Sequence, residues 1–207
     1  MARSFADARR WMADGSKLTV DAVAGLTESD YDAPTLLPGW TRRHLAAHVA
    51  ANADAVGNLV RWAATGVETP MYASPAERAA GIERGTWMSG ADLESWLRRS
   101  AEALEAAMAN LTDEQWATSV VTAQGRTVPA SETPWMRARE VCVHAVDLDR
   151  GVGFGDLPAD FLEALVDDIT AKRGEVPAVD GPLPEVAAWL AGRPHSLTDA
   201  PVLGAWL

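Results

Sequence analysis

Residues Pro134–Arg150 read PWMRAREVCVHAVDLDR, a stretch with the composition of a buried helix that nevertheless carries Arg137, Glu140, His144 and Asp147. At about 100° per residue these four side chains fall within roughly 80° of one another, inside the apolar sector bounded by Met136 and Val143 on one side and Val141 and Leu148 on the other. Arg139, Asp149 and Arg150 fall on the opposite side and are expected to face water. An unpaired charge in such a sector is expensive, so the stripe demands partners from another helix. Cys142 lies about 200° from Glu140 and cannot share a site with it.

The rest of the chain supplies that other helix. Thr41 is a helix N-cap in front of RRHLAAHVAANADAVGNLVRWAATG, with a stop at Gly66. On this helix Leu45, Val49, Val56, Leu59, Trp62 and Ala63 share the side of His48 and Asn52, while Arg43 and Arg61 point away. His48 and Asn52 are therefore polar islands on a core-facing surface, and Trp62 is placed to line a pocket beside them. Two further amphipathic stretches, Phe5–Leu26 and residues 91–111, complete a set of four. The link 67–90 lacks periodicity. Around Gln124-Gly125, short β-branched runs predict a small hairpin or extended loop. The fourth helix opens near Thr133-Pro134, an N-cap followed by proline at the first helical position, and ends before Gly151. Beyond Gly155 come a helix in LPADFLEALVDDITAKRG, a Pro-rich link, a short helix in EVAAWLAGR and a tail. The expected fold is an all-α core, an antiparallel four-helix bundle over 1–157, with a short, mainly helical appendage over 158–207.

Composition narrows the function. A net charge of −11 weighs against nucleic acid or an anionic membrane surface as the main partner. No run approaches the roughly 20 apolar residues of a membrane span, and the N-terminal MARSFADARRWMADGSK holds no signal-peptide core. A cytoplasmic monomer is the expectation. The single cysteine excludes an intrachain disulfide and a Cys-rich zinc site.

Two arrangements satisfy the stripe. In one, Glu140 pairs with Arg137 as a structural ion pair, and His48 and His144 are hydrogen-bonded core histidines. In the other, the groups hold a metal. Glu140 and His144 are four apart, with Cβ atoms about 6 Å from each other, so both can reach one ion. His48 from the facing helix then makes a His2Glu set with an open fourth position, as in catalytic zinc sites. His44–His48 is a rival pair whose members point to different edges, and His195 in GRPHSL reads as a loop residue. The tryptophans are mostly core.

At these residues the chain resembles a known family. LPGWTRRHLAAHVAANADAVGNLV, with W-T-x3-L-x2-H, and PWMRAREVCVHAVDL, with R-x2-E-x3-H-x2-D-L, are together similar to the mycothiol-dependent maleylpyruvate isomerase family of the DinB-like superfamily. GVETPMYASPAER and TAQGRTVPASETPWMRARE extend the likeness, which covers most of the chain to about Pro158. The resemblance implies a DinB-like bundle with one zinc per chain on His48, Glu140 and His144, and mycothiol as the external thiol. It implies thiolate addition to the cis double bond of maleylpyruvate, rotation, and expulsion to give fumarylpyruvate, in the gentisate branch of aromatic degradation. Such a substrate is dianionic, so cations are needed. Arg193 is the nearest match to the family's C-terminal active-site arginine, with Arg126 and Arg137 as further substrate-binding candidates beside Asn52 and Trp62. One departure is the C-terminal part: the family pattern has a fuller α/β domain, and about fifty residues follow Pro158 here. The alternatives are a zinc-dependent mycothiol S-transferase acting on electrophiles, which the short tail favours, and a non-catalytic metal-binding bundle.

Overall fold

The computed structural model describes residues 3–204 and 206, so of the tail Ala205 and Leu207 lie outside the described residues. In chain order the elements are α1 (Phe5–Val23), α2 (Glu28–Tyr31), α3 (Arg42–Thr65), α4 (Pro75–Thr86), α5 (Gly90–Ala109), α6 (Asp113–Trp116), β1 (Ser119–Val121), β2 (Thr127–Pro129), α7 (Thr133–Asp147), α8 (Ala159–Arg173) and α9 (Leu183–Leu190). The four long helices close a ring of contacts: α1 meets α7 and α5, and α3 meets α5 and α7. This is the expected all-α bundle.

Local chemistry explains the boundaries. Thr41 is the N-cap of α3, and His44 at the third helical position reaches back to it, with Nδ1 at 2.8 Å from Thr41 Oγ1 and accepting from Thr41 N–H at 3.3 Å. His44 is thus spent on a cap, which removes it as a rival ligand. Gly66 ends α3 in the left-handed region at φ 72°, where a glycine carries no Cβ penalty. The N-terminus of α7 differs from expectation by one residue. A short 3-10 turn, Ala130–Glu132, precedes it, and Thr133 is already helical with its hydroxyl donating to Ala130 O at 2.7 Å.

The expected hairpin is present as β1 antiparallel to β2, with Val120 opposite Val128. The link expected to be aperiodic instead contains α4. Ser74 caps it by accepting from Glu77 N–H at 3.1 Å, and Pro75 fills the first turn. That start signal is legible in Ser-Pro-Ala-Glu, and the apolar pattern behind it is too thin to show through.

Helix α7 is almost wholly enclosed. Gly15 of α1 lies so close to it that a Cβ there would sit 2.5 Å from Cys142 Sγ and 2.6 Å from Val141 Cγ2. The C-terminal segment docks on the same side of the bundle. Trp11, Trp135 and Phe161 form an aromatic cluster with centroids 5.8 Å apart, and Trp11 Nε1 donates to Asp160 Oδ1 at 3.0 Å. Truncating a buried aromatic of this kind costs about 3–5 kcal/mol, so α8 is held firmly on the bundle. Among the described residues no helix is long and apolar enough to cross a membrane.

Candidate metal centre

His48, Glu140 and His144 bring one ligand-type atom each to within 4.8 Å of one another. Glu140 Oε2 is 3.0 Å from His48 Nε2 and 3.4 Å from His144 Nε2, and the two imidazoles meet edge-on at 80° with centroids 5.0 Å apart. Bonds of 2.0–2.2 Å to a tetrahedral ion put ligand atoms about 3.4 Å from each other, so a divalent ion fits this set with small adjustments. The alternative ion pair is not formed: no hydrogen bond or salt bridge joins Glu140 to Arg137.

The tautomer of His144 is set from behind. Its Nδ1 lies 2.8 Å from Asp147 Oδ2, and a carboxylate can only accept, so Nδ1 carries a proton and Nε2 is the ring nitrogen turned toward Glu140 and His48. Asp147 is in turn gripped by Arg193, with Nε donating to Oδ1 at 2.9 Å and Nη2 to Oδ2 at 2.7 Å. Burial works against the charge on Asp147, yet Arg193 and His144 hold its carboxyl below the ordinary range. Burial likewise opposes charge on His144 and Glu140. For His144 the bonds to Asp147 and Glu140 prevail and raise its pKa, and for Glu140 the two histidines prevail and draw it well down. His48, by contrast, is pushed down by burial in spite of Glu140. The set therefore offers an ionised carboxylate and one readily neutral imidazole, as a cation site needs.

His48 and Glu140 line a cavity of about 720 Å³, and His144 is buried behind them. His48, Asn52, Trp62, Met136 and Glu140 line it from the bundle, Tyr72 and Arg78 from the link and α4, and Arg126 from the hairpin. Arg139, Lys172 and Trp206 complete the rim. Four cations thus surround the mouth of a site in a chain of net charge −11. Arg139 and Lys172 share Asp168, at 3.0 and 2.6 Å. Arg78 and Arg126 make no ion pair among the described residues, and Arg78 Nη2 lies 3.4 Å from His48 Nδ1.

Several sequence expectations are relocated. Asn52, Trp62 and Arg126 do line the cavity. Arg137 does not: it is 1% exposed and lies beneath the floor, donating Nη1 to Val49 O and Asn52 Oδ1, both at 2.8 Å. Arg193, expected to meet substrate, is also absent from the lining. It is 5% exposed and fully engaged by Asp147 and Ala191 O, so its cation serves the back of His144. Arg139 was expected to face water, but α8 covers it, leaving its side chain 15% exposed between Trp135 and Trp206. The sequence reading does not single out Arg78, Tyr72, Arg139 or Lys172 for the site: Arg139 falls on the face of its helix expected to meet water, Tyr72 and Arg78 lie in a link without periodicity, and Lys172 is on a helix outside the bundle. His195 is exposed in a loop, as expected.

The mycothiol maleylpyruvate isomerase N-terminal domain model matches residues 12–149. A solved structure described as the mycothiol-dependent maleylpyruvate isomerase superposes with TM-score 0.92 at 34% identity, covering 99% of this chain and 98% of that one. A histidine-to-alanine mutant of that isomerase gives the same values. The coverage takes in the region beyond Pro158, so no shortfall of the C-terminal part is visible in that pairing. No curated protein matches the chain. With 138 of 207 residues inside the family model and a near full-length structural match besides, the chain belongs to the mycothiol maleylpyruvate isomerase N-terminal domain family.

Proposed function

We propose that the chain is a metal- and mycothiol-dependent isomerase that converts maleylpyruvate to fumarylpyruvate, in the gentisate branch of aromatic degradation. His48, Glu140 and His144 are the proposed ligands of one zinc ion, and the metal-binding bundle is proposed to span 1–157 with a C-terminal segment over 158–207. The observation that carries the proposal is the convergence of those three groups beside a cavity that His48 and Glu140 line together with four cations, in a chain of this family.

A divalent ion in the site supplies Lewis acidity, which favours the thiolate form of an incoming thiol. The protein's own thiol does not compete. Cys142 is fully buried on the α1 side of α7, and burial pushes its pKa far up, so it stays protonated. Arg78 and Arg126 have no carboxylate partner of their own among the described residues and are placed to receive the two carboxylates of the substrate. Trp62, Met71 and Met136 supply apolar wall on the same cavity. Asp147 holds His144 in the tautomer that presents Nε2, and Arg193 keeps Asp147 ionised.

The test is turnover of maleylpyruvate by metal-loaded protein with and without mycothiol, together with elemental analysis. Thiol-dependent formation of fumarylpyruvate with near one equivalent of metal supports the proposal. Turnover without thiol, or full activity without metal, overturns it. Conjugation of mycothiol to electrophiles without isomerisation would instead identify the S-transferase.

A further inference from the structure

Within the cavity floor, Asn52 is a polar group whose orientation is settled by its neighbour. It stands one turn after His48 on α3, is 5% exposed, and lines the cavity. Arg137 Nη1 lies 2.8 Å from its amide, and a guanidinium has donors only. The amide oxygen must therefore face Arg137, and the NH2 group must point away from it. No other described residue accepts a hydrogen bond from that NH2, and it is not among the sealed polar atoms without a partner. A donor is left aimed at open cavity, about 6 Å along the helix from the candidate ligand His48.

Arg137 is itself unusual. It is enclosed without a salt-bridge partner among the described residues, and its Nε and Nη2 have no hydrogen-bond partner. Burial draws its pKa down to about 10, so it remains charged near neutral pH. A buried cation without a bonded anion costs stability, and tethering Asn52 does not by itself require a charge. Its field falls on the cavity floor, where it favours negative charge.

We propose that Asn52 Nδ2–H donates to the substrate oxygen that becomes an enolate oxygen during isomerisation, and that Arg137 is the positioning residue that fixes and polarises that amide. The inference rests on the functional reading above. In that reaction the thiolate sulfur forms a C–S bond at the alkene carbon β to the ketone, and the alkene electron pair moves through to the ketone oxygen. The bond between the former alkene carbons is now single and turns. The enolate pair then returns, the alkene reforms in the trans geometry, and the C–S bond breaks to release the thiolate. No proton or electron is gained or lost, so the developing oxyanion is the charge the site must stabilise. A preorganised donor at such an oxygen contributes about 10²–10³ in kcat.

The test compares wild type with Asn52→Ala, Asn52→Asp, Arg137→Met and the Asn52→Ala/Arg137→Met double variant as full-length, metal-loaded protein. Kinetics with maleylpyruvate and mycothiol, metal content and thermal midpoint are measured for each. Asn52→Ala is expected to lower kcat about 100-fold, with metal content unchanged and KM within about threefold. Asn52→Asp keeps an acceptor for Arg137, replaces the donor by an acceptor and adds a negative charge where the oxyanion develops, so it should lose at least as much. Arg137→Met should lower kcat about tenfold alone but less than about twofold in the Asn52→Ala background, as expected for groups acting as one unit. If Arg137→Met does not fold, Asn52→Asp carries the test. An active wild type with near-normal kcat in Asn52→Ala or Asn52→Asp overturns this assignment alone, as does full additivity in the double variant. A wild type without thiol-dependent turnover overturns the functional reading and this assignment with it.

Discussion

Helix α7 meets α1 along one side and α3 along the other, and the two contacts are built from different materials. Toward α1 the chain removes a side chain altogether at Gly15, lets Cys142 and Val141 fill the space, and ties the backbones with Thr19 Oγ1 donating to Val141 O at 2.8 Å. Toward α3 it places His48, Asn52, Arg137, Glu140 and His144. Close packing on the first side fixes how α7 is rotated, since a helix locked at Gly15 cannot turn without a clash. That rotation presents the polar stripe to α3. The stripe is tolerable because most of its members are held by another polar group: Glu140 by two histidines, His144 by Asp147, and Asp147 by Arg193. One face therefore supplies stability and the other carries the proposed site, and variants should separate along that line.

The sharpest separation is expected at His48. His48→Ala should lose most of the bound metal and at least about 10³ in kcat/KM, while the thermal midpoint of metal-free protein changes little. Elemental analysis with calorimetry on apo protein checks this, and a variant that keeps its metal would dissolve the functional face as drawn.

Arg193→Ala should come next. Removing the cation leaves Asp147 charged, buried and tied only to His144, which loosens the orientation of that imidazole. Metal affinity is expected to fall about 10- to 100-fold, the usual range for a partner one step behind a ligand. Competition against a chromophoric chelator measures it. Unchanged affinity together with a raised KM would return Arg193 to the substrate.

On the α1 face, Gly15→Ala should lower stability by about 1–3 kcal/mol through overpacking against Cys142 and Val141. Denaturant unfolding reads the loss, and metal content should stay near one equivalent. Loss of metal at equal folded fraction would mean that the two faces are coupled through the rotation of α7. Cys142→Ala is the mildest change: it removes one buried sulfur, so stability should drop by about 1 kcal/mol with thiol-dependent turnover nearly intact. Abolished turnover in folded, metal-loaded Cys142→Ala would break both the comparison and the external-thiol mechanism.

Much of this was present in the linear pattern. The periodicity of residues 134–150 and 42–65 placed His48, Glu140, His144 and Asn52 on inward faces, because side-chain direction within one helix follows from a rotation of about 100° per residue. Gly66 as a stop, Thr41 as a cap and the turn at Gln124-Gly125 followed from local backbone chemistry, which acts over a few residues. What only the tertiary structure decided were the meetings between elements. Whether Glu140 would choose Arg137 or the histidines depended on Asn52 and Val49 O taking Arg137 first. Arg193 became a partner of Asp147 because α9 ends beside the last turn of α7, 46 residues away in sequence. Arg78 reached the cavity on a helix whose weak apolar pattern gave no direction. Covalent periodicity orients a side chain relative to its own helix axis, whereas the choice among competing partners belongs to distances that packing alone sets.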